Sequence, residues 1–304
     1  MKIAVTMGDP SGIGPEIILK AMPRFKKLKN LFIYASTNIL KQTARDLGLT
    51  KQYLAIKGRI IDCVEPVAFH YGAPSRASGR AAMRSLDQAL DSRPDILITA
   101  PIVKDVIRHS RPNFTGHTEY LARFYGVRQF GMLGLAGDKR ILLVTTHLPL
   151  TDVFRYITVQ RILDKLFLLD QELKRYFTPF APTIAVSALN PHAFEFSRGE
   201  DERILQAVIR ARHRGINASG PFPADSLFNR RFDGFLAMYH DQAMIYLKAR
   251  PDGLNVTLGL PVIRLSPLYG AALDIAGQKL AHCSGLVAAV KVGIGMYDRR
   301  HGGS

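Results

Sequence analysis

The sequence predicts an α/β fold with a buried sheet that is parallel or mixed. Three observations indicate it: short apolar runs rich in β-branched residues recur, amphipathic segments separate them, and no internal repeat or flexible linker interrupts the alternation. Strands are expected at Ile3–Met7, Leu31–Ala35, Ile96–Thr99, Ile141–Thr146, Ile184–Leu189 and Phe235–Tyr239. Helices are expected at Pro15–Met22, Gly79–Leu90, Thr158–Tyr176 and Asp201–Arg214.

The chain has 304 residues, 47% of them hydrophobic, which suffices for the core of one large domain or two smaller ones. No apolar run approaches the roughly 20 residues that a membrane span needs. A strand-like run begins at Lys2, where a secretory signal would have a charged segment and a long apolar stretch. The only cysteines, Cys63 and Cys283, form no C-x-x-C motif. We therefore expect a soluble cytoplasmic protein that does not bind membranes.

The charge balance is strongly basic, with 41 Lys and Arg against 25 Asp and Glu and a formal net charge of +16. Such a charge can indicate nucleic-acid binding. Here, however, the basic residues are spread along the chain in small groups, without interleaved aromatic residues or a nucleic-acid motif. An anionic substrate is the better explanation, and we do not expect nucleic acid as a partner.

Three of the nine histidines follow apolar runs that are typical of strands. His147 follows 142–146, His192 follows 187–191, and His240 follows 236–239. In open α/β sheets, ligands bind beyond the carboxyl ends of the strands, so these imidazoles can converge there. Three histidines with an open fourth position form a known catalytic metal site. The spacing alone agrees equally well with three unrelated histidines in strand-end loops.

The first predicted strand runs into the turn 7–16, Met-Gly-Asp-Pro-Ser-Gly-Ile-Gly-Pro-Glu. Its glycines permit a tight turn, and Pro15 suits the first position of a helix. The spacing matches neither the dinucleotide-binding G-x-G-x-x-G motif nor the phosphate-binding G-x-x-x-x-G-K-[ST] motif. The segment therefore reads as a strand–turn–helix connection that can line a site.

Two further segments place polar residues after apolar ones. Lys104 comes just past the strand that ends at Thr99, and His117 and Thr118 lie in the loop 115–119 before an apolar helix start. Thr118 can cap that helix, or both residues can hold an anionic or hydroxylated substrate at the helix N-terminus. Later, the stretch from 239 onwards carries Lys248, Asn255 and Arg264; its basic residues suit phosphate or carboxylate, and the alternative for each is a solvated surface position.

Together these segments resemble the 4-hydroxythreonine-4-phosphate dehydrogenases of pyridoxal phosphate biosynthesis. The likeness covers nearly the whole chain in the family's order. It rests on residues 7–17, 99–104, 115–121, 145–150, 190–193, 220–228, 237–242 and 253–266.

The resemblance implies a two-domain α/β fold like that of isocitrate and isopropylmalate dehydrogenases, with an active-site cleft between the domains. We expect residues 1–115 with 258–304 to form the first domain and residues 116–257 the second. The second domain would carry the metal ligands and the dimer interface. The family also implies a homodimer whose active site forms between the subunits.

Carried over by position, the resemblance implies one divalent metal ion (Zn, Mg or Co) per site, with His147, His192 and His240 as ligands, the last from the partner subunit. The substrate contacts it implies are His117, Thr118, Lys248, Asn255 and Arg264. Asp225 and Lys104 would complete the catalytic pocket, and NAD or NADP would contact Tyr269, Gly270 and Asp274.

The implied reaction oxidises the secondary alcohol of 4-phosphooxy-L-threonine to 2-amino-3-oxo-4-phosphooxybutanoate, which loses carbon dioxide to give 3-amino-2-oxopropyl phosphate. A bound cation lowers the pKa of a hydroxyl group and stabilises a developing enolate, so one ion can serve both steps. The nicotinamide accepts the hydride.

The chain departs from the family pattern in three places. Residues 268–272 read Leu-Tyr-Gly-Ala-Ala where the family commonly has Asp-His-Gly-Thr-Ala, Phe194 and Phe196 replace glycine-rich sequence, and Ala243 replaces glycine. These changes leave the choice between NAD and NADP open, and they leave two alternatives. One is a paralogue that oxidises D-threonate 4-phosphate or a similar four-carbon acid. The other is a non-catalytic protein that binds a phosphorylated metabolite or nucleic acid.

Overall fold

A computed structural model describes residues 1–178, 180–250 and 252–302. Within these ranges the chain forms eleven strands and twelve α-helices. The strands are β1 Ile3–Thr6, β2 Leu31–Ala35, β3 Ile60–Asp62, β4 Ile96–Thr99, β5 Gly131–Ala136, β6 Lys139–Leu143, β7 Ile184–Ser187, β8 Ala218–Phe222, β9 Gly234–Ala237, β10 Leu254–Leu258 and β11 Ile263–Pro267.

The helices alternate with these strands along most of the chain. They are α1 Gly14–Ala21, α2 Thr37–Asp46, α3 Thr50–Ile56, α4 Arg76–Asp91, α5 Lys104–Arg108, α6 His117–Phe124, α7 Leu150–Tyr156, α8 Val159–Tyr176, α9 Glu200–His213, α10 Ala224–Leu227, α11 His240–Lys248 and α12 Ser284–Arg300.

The first compact unit comprises Met1–Leu121 and Val262–Tyr297. Its strands pair in the order β3-β2-β1-β4-β11, and every pair is parallel. All residues of β1 and β4 are buried, as expected for central strands that are covered on both faces. The carboxyl ends of β4 and β11 therefore lie side by side, and these two strands carry Thr99 and Arg264.

Local sequence explains where the first unit's helices begin. Pro15 stands in the first turn of α1, as predicted, because its missing N–H costs nothing there. Ser75 and Ser78 form a reciprocal capping box at the start of α4, which contributes about 1 kcal/mol to helix stability. α4 buries one face, including Ala82 and Leu86, and exposes the other, as its amphipathic sequence predicts.

The second unit comprises Ala122–Pro261 and the last residues of the chain from Asp298 onwards. Its strands pair in the order β10-β5-β6-β9-β7-β8. The pairs β10/β5 and β5/β6 are antiparallel, whereas β6/β9, β9/β7 and β7/β8 are parallel. Three consecutive parallel strands, β6, β9 and β7, thus end at the same edge, and these are the strands that precede His147, His240 and His192.

The two units differ from the predicted domain ranges at their ends. The first unit extends to Leu121, so His117 and Thr118 belong to it; the hydroxyl of the nearby Tyr120 donates a hydrogen bond to Asp87 at 2.6 Å. The segment from Asp298 belongs to the second unit, where Arg299 donates to the carbonyl of Phe177 at 2.7 Å. Single side-chain hydrogen bonds of this kind produce no periodic pattern in the sequence, so the sequence does not predict these unit boundaries.

The capping role considered for Thr118 is wrong, because α6 begins at His117 and Thr118 lies inside its first turn. Several predicted strands also end early: β6 stops at Leu143, β7 at Ser187 and β9 at Ala237. Val144, Ala188 and Met238, each just beyond one of these strand ends, are buried in the turns that lead to the histidines. Among the described residues, no helix combines the length and the apolar character needed to cross a membrane.

Candidate functional site

The turn after β6 carries His147 past the edge of the second unit's sheet. Val144 N–H donates to the carbonyl of Ala237 at 2.9 Å, and Thr145 N–H and its hydroxyl both donate to the carbonyl of Met238, at 3.2 and 2.8 Å. These bonds continue the contact between β6 and β9 beyond their ladder. The rings of His147 and His240 consequently lie beside each other in one chain, with centroids 5.8 Å apart.

His240 is the first residue of α11, and its neighbour orients its ring. Nδ1 of His240 lies 2.6 Å from Oδ1 of Asp241. Because a carboxylate only accepts hydrogen bonds, Nδ1–H donates and the Nε2 lone pair is left for a ligand. A carboxylate behind a histidine is typical of metal ligands, since it fixes the tautomer and increases the basicity of the ring. Sequence analysis missed this role of Asp241, which the adjacent His-Asp pair could have suggested.

His192 lies in a strained segment after β7. His192 and Ala193 have φ angles of 54° and 57°, the left-handed region that non-glycine residues seldom adopt. The exposed ring of His192 lines a cavity of about 460 Å³ together with Asp225, Asp241 and Tyr239. The structure thus places the predicted catalytic Asp225 in the same cavity as one predicted metal ligand.

The described residues of a single chain bring no three His, Cys, Asp or Glu side chains close enough to hold a metal ion. His147 and His240 are adjacent, but neither lines the cavity at His192. The structure therefore brings together two of the three predicted metal ligands, His147 and His240, and places His192 at a separate cavity.

The first unit carries a buried cationic cluster beside Thr99, the last residue of β4, where Arg264 reaches over from the second position of β11. Arg264 is 2% exposed, and its Nη2 donates to the hydroxyl of Thr99 at 2.7 Å. Burial lowers the pKa of Arg264 to about 10, partly offset by the carboxylate of Glu119. Even so, the guanidinium stays charged at neutral pH. A charge held in such a site favours an anionic ligand.

His117 and Lys104 complete this cluster. Burial lowers the pKa of His117 well below its usual value, and the nearby charges of Arg264 and Lys104 lower it further, so the imidazole is neutral. A Cβ added to Gly116 would lie 3.0 Å from Oε2 of Glu119 and 3.5 Å from Nζ of Lys104. Glycine at this position therefore leaves room for these charged groups beside the start of α6.

The structure gives less evidence of a ligand site at the two other predicted substrate residues, Lys248 and Asn255. Lys248 is exposed at the end of α11, where a lysine is also favoured by the helix dipole. Asn255 lies in β10, and its side-chain oxygen is buried with no hydrogen-bond partner among the described residues. Such an atom is costly unless a ligand or water pairs with it.

The predicted cofactor residues lie in the loop after β11. The hydroxyl of Tyr269 donates to the carbonyl of His282 at 3.2 Å, and burial raises the pKa of that hydroxyl. A Cβ at Gly270 would meet no atom within 4 Å, so the backbone is open to a ligand there. Asp274 accepts a hydrogen bond from Gln278 through its backbone carbonyl, at 2.7 Å.

This loop packs on the glycine-rich turn after β1. Ile13 N–H donates to the carbonyl of Ala271 at 2.9 Å, and a Cβ at Gly12 would lie 2.7 Å from that oxygen. Gly12 is therefore required for a close approach of two backbones. The turn 7–16 therefore packs against the predicted cofactor loop.

A larger cavity of about 700 Å³ lies elsewhere in the first unit, between the segment after β3 and α4. Cys63, Arg80 and Arg84 line it, and none of the predicted site residues does. Burial, with the charge of Asp62 adding to it, raises the pKa of Cys63 to about 11, so its thiol is protonated at neutral pH. The candidate site is therefore not the largest cavity.

Comparison with known structures first defines the class. The chain shares its fold with an isocitrate dehydrogenase from Methylococcus capsulatus, with a TM-score of 0.51 at 11% identity over 99% of this chain and 87% of that one. The predicted isocitrate dehydrogenase-like α/β fold is thereby confirmed.

The comparisons also identify the family. The family model of "Pyridoxal phosphate biosynthetic protein PdxA" matches residues 26–293, and the chain belongs to this family. It is 39% identical to a 4-hydroxythreonine-4-phosphate dehydrogenase from Burkholderia vietnamiensis, over 99% of this chain and 98% of that protein. A crystal structure of the dehydrogenase of the same name from Klebsiella pneumoniae superimposes with a TM-score of 0.80 at 29% identity, covering 97% of this chain and 99% of that one. The resemblance inferred from the sequence is confirmed.

Proposed function

We propose that this chain is a nicotinamide-dependent dehydrogenase that oxidises 4-hydroxythreonine 4-phosphate in pyridoxal phosphate biosynthesis. The observation that carries the proposal is the match, over 99% of the chain, to relatives named for this activity. The cationic cluster of the first unit and the strand-end histidines of the second unit supply residue types that the reaction needs.

The reaction balances as follows. The carbon that bears the hydroxyl gives a hydride to NAD or NADP, and the hydroxyl gives a proton to a base. The product, 2-amino-3-oxo-4-phosphooxybutanoate, carries its ketone β to the carboxylate; when the bond to the carboxylate breaks, its electron pair forms an enolate, carbon dioxide leaves, and the carbon takes up a proton to give 3-amino-2-oxopropyl phosphate. The cofactor provides the hydride acceptor, and the protein provides position and electrostatic field.

In this proposal His147, His192 and His240 would hold one divalent ion (Zn, Mg or Co), with His240 contributed across the proposed homodimer interface. The described residues of one chain bring no three such side chains together, which is what a site shared between two copies of the chain predicts. An ion held there would supply positive charge that lowers the pKa of the substrate hydroxyl.

The first unit binds the phosphate of the substrate in this proposal. Arg264 and Lys104 provide charge, and the start of α6 provides backbone N–H groups at Thr118 and beyond. The neutral imidazole of His117 donates or accepts a hydrogen bond without adding charge. Asn255 and Lys248 are further substrate contacts, and the unpartnered oxygen of Asn255 suits a hydroxyl or ammonium donor.

Asp225 and Lys104 are the proposed proton-transfer residues. Asp225 is exposed in the cavity that His192 lines, so its carboxylate can accept a proton from a substrate bound there. The nicotinamide cofactor contacts the loop that contains Tyr269, Gly270 and Asp274. A cytoplasmic location remains a prediction that suits a pathway of small phosphorylated metabolites.

Turnover of purified protein tests the proposal. With a divalent metal and NAD or NADP, 4-phosphooxy-L-threonine should yield reduced nucleotide and carbon dioxide in equal amounts, and 4-hydroxy-L-threonine without phosphate should react poorly. A chelator should abolish the activity, and added metal should restore it. Turnover of D-threonate 4-phosphate alone would assign the chain to a paralogous dehydrogenase. Failure of the metal-loaded protein to oxidise either phosphorylated acid would contradict the proposal.

A further inference from the structure

The cavity of about 700 Å³ in the first unit lies apart from the predicted substrate and cofactor residues, none of which lines it. One wall is the face of α4 that carries Arg80 and Arg84. The other wall is the end of β3 with the segment that follows it, and it includes Asp62 and Glu65. Small-molecule sites typically have volumes of about 300–1,000 Å³, so the cavity is large enough for a metabolite.

The two arginines of α4 lie one helical turn apart on the same face. Arg80 and Arg84 are both exposed, and neither forms an ion pair or a hydrogen bond with another described residue. Like charges at this spacing repel each other in a helix. An anion bound between the two guanidinium groups would relieve this repulsion and accept hydrogen bonds from both. Their planar sets of donors suit a phosphate or a carboxylate.

The opposite wall carries negative charge. Asp62 and Glu65 both line the cavity, yet among the described residues neither carboxylate forms an ion pair with Arg80 or Arg84. Oδ1 of Asp62 accepts the backbone N–H of Thr37 at 3.0 Å, which holds this carboxylate in place. Charges of both signs thus line one cavity without neutralising each other, so its walls complement a ligand that also carries both signs.

The cavity also offers apolar surface and a rigid support. The buried side chains of Val64 and Ala81 line it, and they can contact the carbon chain of a ligand. On the sheet side of α4, the hydroxyl of Ser85 accepts from the N–H of Met7 at 2.9 Å and donates to the carbonyl of Tyr34 at 2.6 Å. These buried bonds fix α4 on the sheet, so the backbone that carries the arginines needs no rearrangement when a ligand binds.

We propose that this cavity binds a small zwitterion, with its anionic group held by Arg80 and Arg84 and its ammonium group held by Asp62 and Glu65. The anionic group is a phosphate or a carboxylate, because guanidinium groups bind both in the same way. The inference goes beyond the proposed function and does not depend on it, since none of these four residues is assigned to the metal ion, the nucleotide or the substrate.

Cys63 reports whether the cavity is occupied, because its half-buried thiol lines the cavity. Burial raises the pKa of this thiol most, the charge of Asp62 raises it further, and the charge of Arg84 lowers it, so both walls lie near the sulfur. Alkylation by N-ethylmaleimide at mildly alkaline pH is followed by mass spectrometry of the peptides. Cys283, which does not line the cavity, is the internal control.

The probes are O-phosphoethanolamine, β-alanine and ethyl phosphate. O-Phosphoethanolamine or β-alanine should slow the alkylation of Cys63 with saturation and leave Cys283 unchanged, and the better of the two shows whether the anionic group is a phosphate or a carboxylate. Ethyl phosphate, which has no ammonium group, should protect Cys63 only at higher concentration than O-phosphoethanolamine. Equal protection by these two phosphates would overturn the assignment of a zwitterion.

Substitutions test each wall. Arg80→Leu and Arg84→Leu should each raise the half-protecting concentration of the bound zwitterion about 10-fold or more, because each removes hydrogen bonds to a charged group. Glu65→Gln should weaken protection by the zwitterion and leave protection by ethyl phosphate unchanged. Arg45→Leu is the matched control, since Arg45 is an exposed arginine of α2 that does not line the cavity, and it should behave as wild type.

Calorimetric titration of the full chain gives a second measurement that does not need the thiol. The double variant Arg80→Leu/Arg84→Leu should lose one equivalent of bound zwitterion relative to wild type, even if the separate cationic cluster at Arg264 also binds the probe. Unchanged stoichiometry and affinity in this variant would overturn the inference. So would a failure of both zwitterions to protect Cys63 at millimolar concentration.

Discussion

The two units use the carboxyl ends of their strands in opposite ways. In the first unit, the end of β4 holds its threonine hydroxyl against a buried arginine of β11, with Lys104 and a neutral His117 nearby. In the second unit, the ends of β6 and β9 present two neighbouring imidazoles, one of them oriented by Asp241. One region concentrates positive charge, and the other presents imidazole rings.

This difference shows how one chain can offer binding groups for both an anion and a cation. A buried guanidinium suits an anion, because the protein has already removed it from water and fixed its direction. Neutral imidazoles suit a cation, because a metal ion needs deprotonated ligands. If the comparison is right, changes in one region should leave the other region's ligand unaffected.

The largest effect is expected for His147→Ala. Loss of one imidazole should remove the metal ion, whose charge contributes several kcal/mol to stabilising the reacting oxygen, and turnover should fall by about 1000-fold or more. The measurement is the steady-state rate together with metal content. His213→Ala, at the exposed end of α9, is the control and should keep normal activity. Full metal content in His147→Ala would refute the role of His147.

A smaller effect is expected for Arg264→Leu. Hydrogen bonds to charged groups contribute about 1.5–3 kcal/mol, so the KM for the phosphorylated substrate should rise roughly 10- to 150-fold. Arg264→Lys keeps the charge and should lose less, because lysine lacks the planar fork of donors. An equal rise in KM for the non-phosphorylated analogue would show that Arg264 does not recognise the phosphate.

The smallest effect concerns His117 and pH. Its pKa in the folded protein lies well below the usual 6.5. Just below pH 6.5, the unfolded chain therefore binds a proton at His117 and the folded protein does not. The stability contributed by His117 is therefore complete above about pH 6.5 and declines below it, by at most about 1.4 kcal/mol per pH unit. Urea unfolding at several pH values should show a shallower decline for His117→Gln. Identical pH dependence in wild type and variant would show that the imidazole is not kept neutral.

Much of this arrangement could be predicted from the sequence. The runs before His147 and before His240 are both apolar, and parallel strands bring their ends together, so the sequence offers the proximity of these two histidines as one of two readings. Short, strongly apolar runs such as Ile96–Thr99 are correctly predicted to be strands. The sequence analysis does not predict β3, β5, β8, β10 and β11, because these strands are short, contain glycine or proline, or are interrupted by polar residues such as Arg264.

Other features of the structure could not be predicted from the sequence. The left-handed backbone at His192 and Ala193 depends on tertiary packing, since neither residue favours it locally. The bonds of Gln242 to Ser187 and Ala188 span more than fifty residues, and no periodicity reports such contacts. Sequence patterns locate strand ends, whereas side-chain hydrogen bonds fix where the groups beyond those ends point.

The most direct test is a pair of titrations on two single variants, with inorganic phosphate and zinc as probes. Arg264→Leu should bind zinc with wild-type affinity and lose phosphate, whereas His147→Ala should lose zinc and bind phosphate with wild-type affinity. Loss of both probes in either properly folded variant, or loss of neither, would contradict the assignment of anion binding to the first unit and of cation binding to the second.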